Sequence, residues 1–284
     1  MVGESLVDVV TTADGSTSEH PGGSPMNVAV GLGRLGHQVQ LLTALGADDR
    51  GNRVADHVRA SHVEVLAAPL RQTSVARAQL DAEGVATYAF ELVWDLRGAP
   101  EPTSPTWLHV GSLGVTQEPG AAAVADLVTR TDAVVSYDPN CRPLLMGSPA
   151  EARQRIEEQV SRSDVVKLSD EDAAWLFPEQ PHDELARRWL ALGPAVVVMT
   201  LGPHGSQAWT ARHTTRAAAA PGGPVVDTVG AGDAFMAGLL SGLHDQDLRA
   251  LDAVQLDAAL DLAGRVARRT CERAGADPPW ARGL

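Results

Sequence analysis

The chain has 284 residues, 44% hydrophobic and 21% charged, with a formal net charge of −13 and no Lys/Arg run, so it lacks the clustered basic face that a nucleic-acid partner needs. No apolar run reaches the ~18 residues of a membrane span, and MVGESLVDVV has no basic n-region of a secretory signal, so a cytoplasmic protein with no membrane partner is expected. Cys141 and Cys271 read as free thiols, and a single lysine, Lys167, stands among 23 basic residues.

In chain order, LVDVV (6–10) reads as a first buried strand that starts abruptly, as though a few residues preceded it. GGSPMN (22–27) sets a glycine pair before a helix over 25–36, where Pro25 suits a first helical position. Bare backbone at Gly22 and Gly23 lets a ligand approach, and Asn27 offers both donor and acceptor; a plain turn fits equally well. GLGRLG (31–36) matches the dinucleotide fingerprint, but that motif must follow a strand and open a helix. Here it sits late in a helix. Val28, Leu32 and Leu35 form a core stripe, and Ala29, Gly33 and Gly36 a small-residue stripe for close packing. A dinucleotide oxidoreductase would rest on that motif alone.

VQLLTALG (39–46) is a second strand, followed by a helix over 50–60. TSVARAQLDAEGVATYAFEL (73–92) breaks the rhythm as two alternating strands around a turn at 81–84. Ala86, Tyr88, Phe90 and Leu92 share one face, as a period of two requires, so a small β lid is expected. Strands at 108–113, 133–138, 164–169 and 195–200 then alternate with helices at 119–130, 149–161, 182–192, 231–244 and 247–274. That alternation predicts βαβ units and a mainly parallel sheet covered on both faces. A Walker loop needs Gly-Lys-Ser/Thr, but Lys167 precedes Leu168, which excludes that nucleotide site.

VVDTVGAGDAFMAGLL (225–240) carries the chemistry. Phe235, Met236, Leu239 and Leu240 bury the helix almost all round, and Gly230 and Gly232 strip side chains from its start. Unpaired amides there favour an anion such as a phosphoryl group. Asp233 in the first turn could simply cap the helix, but a cap leaves the two glycines unexplained. Phosphoryl transfer needs both features: N–H donors for the transferring charge and a base beside them.

GGSPMNVAVGLGRLG and DTVGAGDAFMAGLL resemble the two signatures of the ribokinase-like (PfkB-type) sugar kinase family. TLGPHG (200–205) is similar to its nucleotide loop, YDPNCRP (137–143) and KLSDED (167–172) to segments of fructokinase-like members, and GADPP (275–279) to its usual ending. The resemblance spans nearly the whole chain. It implies one doubly wound α/β/α sandwich over 1–284, with a β-sheet lid formed by about 8–20 and 73–95. It also implies ATP-dependent phosphorylation of a sugar hydroxyl, with ATP and Mg²⁺ as cofactors.

By that resemblance Asp233 is the catalytic base, and the amides of Gly230, Ala231 and Gly232 are the anion hole. Asp8, Gly22, Gly23, Asn27 and Phe90 are implied as sugar contacts, with Asp138 and Arg142 bordering the same pocket. Lys167, Ser169, Asp172, Thr200, Gly202 and Gly205 fall on the nucleotide side. Backbone near Asp227, Val229 and Gly275 matches where many members hold a monovalent cation, often potassium. Two departures stand out. The family's Asn-x-x-Glu is here Ser169-Asp-Glu-Asp172, whose oxygens would order magnesium-bound water. Leu92 stands where members acting on 2-keto-3-deoxygluconate carry a basic residue, which points to a neutral sugar.

Fructose is the expected substrate. Ribose, a nucleoside and 2-keto-3-deoxygluconate are the alternatives, and a non-catalytic sugar- or nucleotide-binding regulator is the rival from another class. A homodimer through the lid is the expected assembly.

Overall fold

The computed structural model describes residues 1–81 and 86–284. The amino-terminal half runs β1 (Leu6–Thr11), β2 (Thr17–Gly22), α1 (Ser24–Arg34), β3 (Val39–Gly46), α2 (Asp49–Arg59), β4 (Val63–Leu70), β5 (Val75–Leu80) and β6 (Ala86–Glu91). It continues through β7 (Trp107–Gly111), α3 (Gly120–Arg130), β8 (Val134–Asp138), α4 (Pro143–Met146), α5 (Pro149–Val160), β9 (Val165–Ser169) and α6 (Asp170–Leu176). Then follow α7 (His182–Leu192), β10 (Val196–Thr200), β11 (Ser206–Trp209), β12 (Thr214–Ala217), α8 (Ala231–Leu243) and α9 (Ala253–Cys271).

The β-branched runs pair as a buried parallel sheet demands. β7, β8, β9 and β10 lie side by side and parallel, and β11 and β12 extend them antiparallel. β3 and β4 form a parallel pair. Val2 joins the two groups by bridging Leu42 and Val110, both in parallel. Apolar clusters cover the two faces: α1, α8 and α9 pack through Val28, Met236 and Leu260 on one side, and α3, α5 and α7 through Val124, Ile156 and Trp189 on the other. Helices on both faces explain why these strands read as continuous apolar runs.

A separate four-stranded sheet has the order β2-β1-β5-β6. LVDVV is therefore not a strand of the central sheet. It pairs with β2 antiparallel and β5 parallel, and only Val2 upstream reaches the central layer. Its apolar run was misleading because Val7 and Val9 of β1 are buried against α1 and α2. Of the turn expected at 81–84, residues 82–84 lie outside the described residues.

Boundaries moved where polar residues intervene. The helix read over 247–274 begins only at Ala253, because Asp252 and Gln255 form a capping box there. The strand expected to 113 stops at Gly111 and turns into a short 3₁₀ segment. The glycine-rich decoy is a packing feature in part: a side chain on Gly33 would meet the Ser61 carbonyl and Gly31 lies against Ala237 of α8, but Gly36, expected in the same stripe, lies beyond the helix at φ 97 with nothing packed against it. Both cysteines are free.

Candidate active site

The carboxyl ends of the central strands line up. Gly111 pairs with Asp138 and Ser169 with Thr200, so four strand ends open toward one side. Ligands of open α/β sheets bind there. The start of α8 faces the same place. Gly230 caps it in the left-handed region at φ 73, where a β-carbon would also press on Ala276, and no side chain caps the helix. One expected amide is not open: Ala231 N–H donates to the Thr228 carbonyl at 3.1 Å, which leaves the N–H groups of Gly230, Gly232 and Asp233 as the uncapped donors.

Asp233 is buried, at 7% exposure, and is held by α1. Ser24 Oγ donates to its Oδ1 at 2.7 Å and Asn27 Nδ2 to its Oδ2 at 2.8 Å, while Asn140 Nδ2 approaches Oδ1 at 3.4 Å. Asn27 thus touches the aspartate directly. Ser24 and Asn140 were missed in the sequence. Ser24 and Asn27 are three apart, which places both on one helix face, and Asn140 lies inside YDPNCRP with a left-handed φ of 38.

Beneath the helix start lies a buried ion pair. Lys167 Nζ donates to Asp138 Oδ2 at 2.8 Å, and the ammonium lies 3.2 Å from where a β-carbon on Gly232 would sit. Burial opposes the lysine's charge, but Asp138, Asp172 and Asp233 hold its pKa above the ordinary value. The only lysine of the chain therefore stands as a fixed cation beside the helix amides.

The small sheet overhangs this floor. His20, Asp8, Ala76 and Phe90 are successive cross-strand partners, so they share one row and one face. Burial pushes the Asp8 carboxyl up, Arg142 and His20 pull it back, and Asp233 adds to the rise. Asp8, Arg142 and Asp233 thus lie within electrostatic reach of one another. Arg142 is itself steered by the Asn140 side-chain oxygen at 2.6 Å. Gly22 leaves the room that Asp8 occupies, since a β-carbon there would collide with Asp8 Oδ2. Gly23 leads into α1 at φ 117. Leu92 packs against the core cluster instead of facing this row.

The nucleotide-side residues gather at the ends of β9 and β10. Thr200 closes β10, Gly202 opens a short 3₁₀ turn at φ 52, and Gly205 leaves it at φ 90. Ser169 and Asp172 lie together where β9 runs into α6. They make the capping box of α6, and Asp172 Oδ1 also accepts the Cys141 N–H at 2.9 Å. Asp227 accepts Val229 N–H at 3.0 Å and Gly275 N–H at 2.8 Å, which draws the two expected cation-site segments together and holds its pKa below the usual range.

The chain is similar to known proteins over nearly its whole length. The pfkB family carbohydrate kinase profile matches residues 1–282. A fructokinase of Klebsiella pneumoniae is 32% identical over 256 residues, covering 86% of this chain and 83% of that protein. The fructokinase of Vibrio cholerae O395, in its fructose, ADP and calcium ion bound form, superposes with a TM-score of 0.82 at 25% identity, covering 97% of this chain and 92% of the other. The fructokinase with bound ATP from Xylella fastidiosa gives a TM-score of 0.85 at 24% identity, with 97% and 92% covered. The fold and the family are thereby shown, and this chain belongs to the pfkB family of carbohydrate kinases.

Proposed function

We propose that this sugar kinase transfers the γ-phosphate of ATP to a primary hydroxyl of fructose. The observation that carries the reading is a buried aspartate, oriented by two donors, at a helix start that no side chain caps. The fructokinases among its relatives support the choice of sugar.

The sugar lies between the row of Asp8 and Phe90 and the floor at Asp233. Asp8 and Arg142 hold hydroxyls away from the reacting one, and the small sheet closes as a lid that excludes water, a competing phosphoryl acceptor. Asp233 accepts the hydroxyl proton. Ser24 and Asn27 fix the carboxylate toward the acceptor. The Gly232 and Asp233 amides, with Lys167 beneath them, receive charge on the transferring group.

The nucleotide lies along Thr200 to Gly205. A divalent cation brought in on its phosphates supplies charge neutralisation; among the described residues no group of three or more His, Cys, Asp or Glu gathers to hold one independently. Carbonyl oxygens of the two segments that Asp227 ties together suit a monovalent cation such as potassium. Edge strand β6, with Tyr88 half exposed and stacked on Phe90 at 6.1 Å, is the surface for pairing with a second copy.

A coupled ADP-release assay over fructose, ribose, 2-keto-3-deoxygluconate and a nucleoside, with and without K⁺, tests this reading. Release with fructose above the others is expected. Release with another sugar alone replaces the substrate, and release with none favours a binding regulator.

A further inference from the structure

Two residues other than glycine stand in the left-handed region beside the site: Ser112 at φ 48, where β7 ends, and Asn140 at φ 38, just past the end of β8. Such backbone costs free energy and persists only where neighbours hold it. The two are neighbours, since Ser112 Oγ lies 3.5 Å from the Asn140 carbonyl. That carbonyl also accepts Arg142 Nη1 at 3.0 Å, and the Asn140 side chain approaches Asp233 at 3.4 Å. What holds this pair comes from another part of the chain.

Glu4 reaches it from the segment ahead of β1. Its Oε2 accepts the Gly114 N–H at 2.9 Å and lies within reach of the Ser112 hydroxyl, so it grips the 3₁₀ segment that follows β7. Its backbone carbonyl lies 2.4 Å from where a β-carbon on Gly23 would sit, so the same residue abuts the start of α1, which carries Ser24 and Asn27. Glu4 thus stands between the two groups of residues that hold Asp233. Among the described residues, the charged side chain that acts on it is Arg142; the turn after β7 faces it with Ser112 and Gly114 and the start of α1 with Gly23, all neutral. A glutamine would accept from Gly114 equally well, so that hydrogen bond alone does not call for a carboxyl in a buried place. The attraction of Arg142 does.

We infer that Glu4 is a positioning residue of the sugar pocket: its carboxylate steers Arg142 over Asn140 and holds the turn that keeps Asn140 beside Asp233. What Arg142 then meets rests on the proposed sugar site; the steering itself does not. When Glu4 carries a proton, Arg142 keeps only neutral acceptors, the Asn140 side-chain and backbone oxygens and the Cys141 carbonyl. Its exposed head is then loosely held, and the sugar must order it on binding. Burial places that change of charge near pH 7.

Two readouts separate the steering from the choice of substrate. The first needs no ligand: carbon-13 relaxation of the Arg142 Cδ group at about pH 6 and about pH 8, in the wild type and in Glu4→Gln. The wild type should be ordered at the higher pH and mobile at the lower, and Glu4→Gln mobile at both. The second is steady-state kinetics. From the higher to the lower pH the wild-type KM for fructose should rise by about five- to tenfold, with smaller changes in kcat and in KM for ATP. Glu4→Gln should show the higher KM at both, and in an Arg142→Gln background it should add nothing further. Equal order of Arg142 in both proteins at both pH values would overturn the inference. So would a fructose KM that Glu4→Gln leaves unchanged, or a pH slope that survives in that variant, since Asp8 or His20 would then be the titrating group. Loss of Arg142 order as expected, in a protein that does not turn over fructose, would support the steering and remove fructose alone.

Discussion

Asn27 of α1 donates to Asp233 of α8 at 2.8 Å, across 206 residues of sequence. With Ser24 at 2.7 Å it occupies both oxygens of the carboxylate and fixes its direction before any ligand arrives. The close approach of α1 and α8 at Gly31 and Ala237 makes this reach available. If the pair acts by positioning, Ser24→Ala with Asn27→Ala should lower kcat by about 10- to 100-fold, with a smaller change in KM for the sugar. Steady-state kinetics beside far-UV circular dichroism separates that outcome from unfolding. An unchanged kcat would assign the two residues to packing alone.

The Lys167–Asp138 pair makes a different prediction. Both side chains are almost wholly buried, so Lys167→Met leaves an unpaired carboxylate and should cost about 3–5 kcal/mol in denaturant unfolding. Adding Asp138→Asn to that variant should recover much of the stability. It should not recover turnover if the ammonium also receives charge on the transferring phosphoryl. Lys167→Arg is not conservative here, because a planar guanidinium does not fit the space beside Gly232. Full activity in the doubly substituted protein would restrict the lysine to a structural role.

Glu4 gives the pH dependence. It is buried at 7% exposure, accepts the Gly114 N–H at 2.9 Å, and burial pushes its pKa up to about 7, against the pull of Arg142 and Ser112. A folded-state value above the unfolded one means the folded protein holds the proton more tightly. The stabilisation is then complete below about pH 4.5 and is lost as pH rises to about 7. Glu4→Gln, which keeps an acceptor for Gly114 and does not titrate, should match the wild type near pH 4.5 and exceed it by up to about 3 kcal/mol above pH 7. Thermal unfolding across that range checks it, and parallel curves for the two proteins would contradict it.

Much of this architecture was legible in the sequence. The β-branched runs of β8, β9 and β10 stood out because a sheet covered on both faces tolerates little else. The α8 start was legible because two glycines and a carboxylate at the mouth of an apolar helix serve few purposes. Less legible was membership of a sheet: LVDVV is as apolar as a central strand yet pairs with β2 and β5, and nothing local distinguishes the two. The holders of Asp233 were hidden for a related reason. Ser24 and Asn140 are ordinary polar residues until the fold brings them across 209 and 93 positions to the carboxylate. Ser169 and Asp172 also make the capping box of α6, a local use of that spacing that the sequence reading had not named.

The most direct measurement is ADP release with fructose by the wild type and by Asp233→Asn, beside calorimetric binding of fructose to both. Asparagine keeps the shape, can still accept from Asn27 while its amide donates to the Ser24 hydroxyl, and cannot take the proton. The account predicts turnover reduced by about 10²–10⁴-fold, with fructose binding and thermal midpoint retained. Turnover within about tenfold of the wild type would contradict it, and the proton would then have to leave by another route.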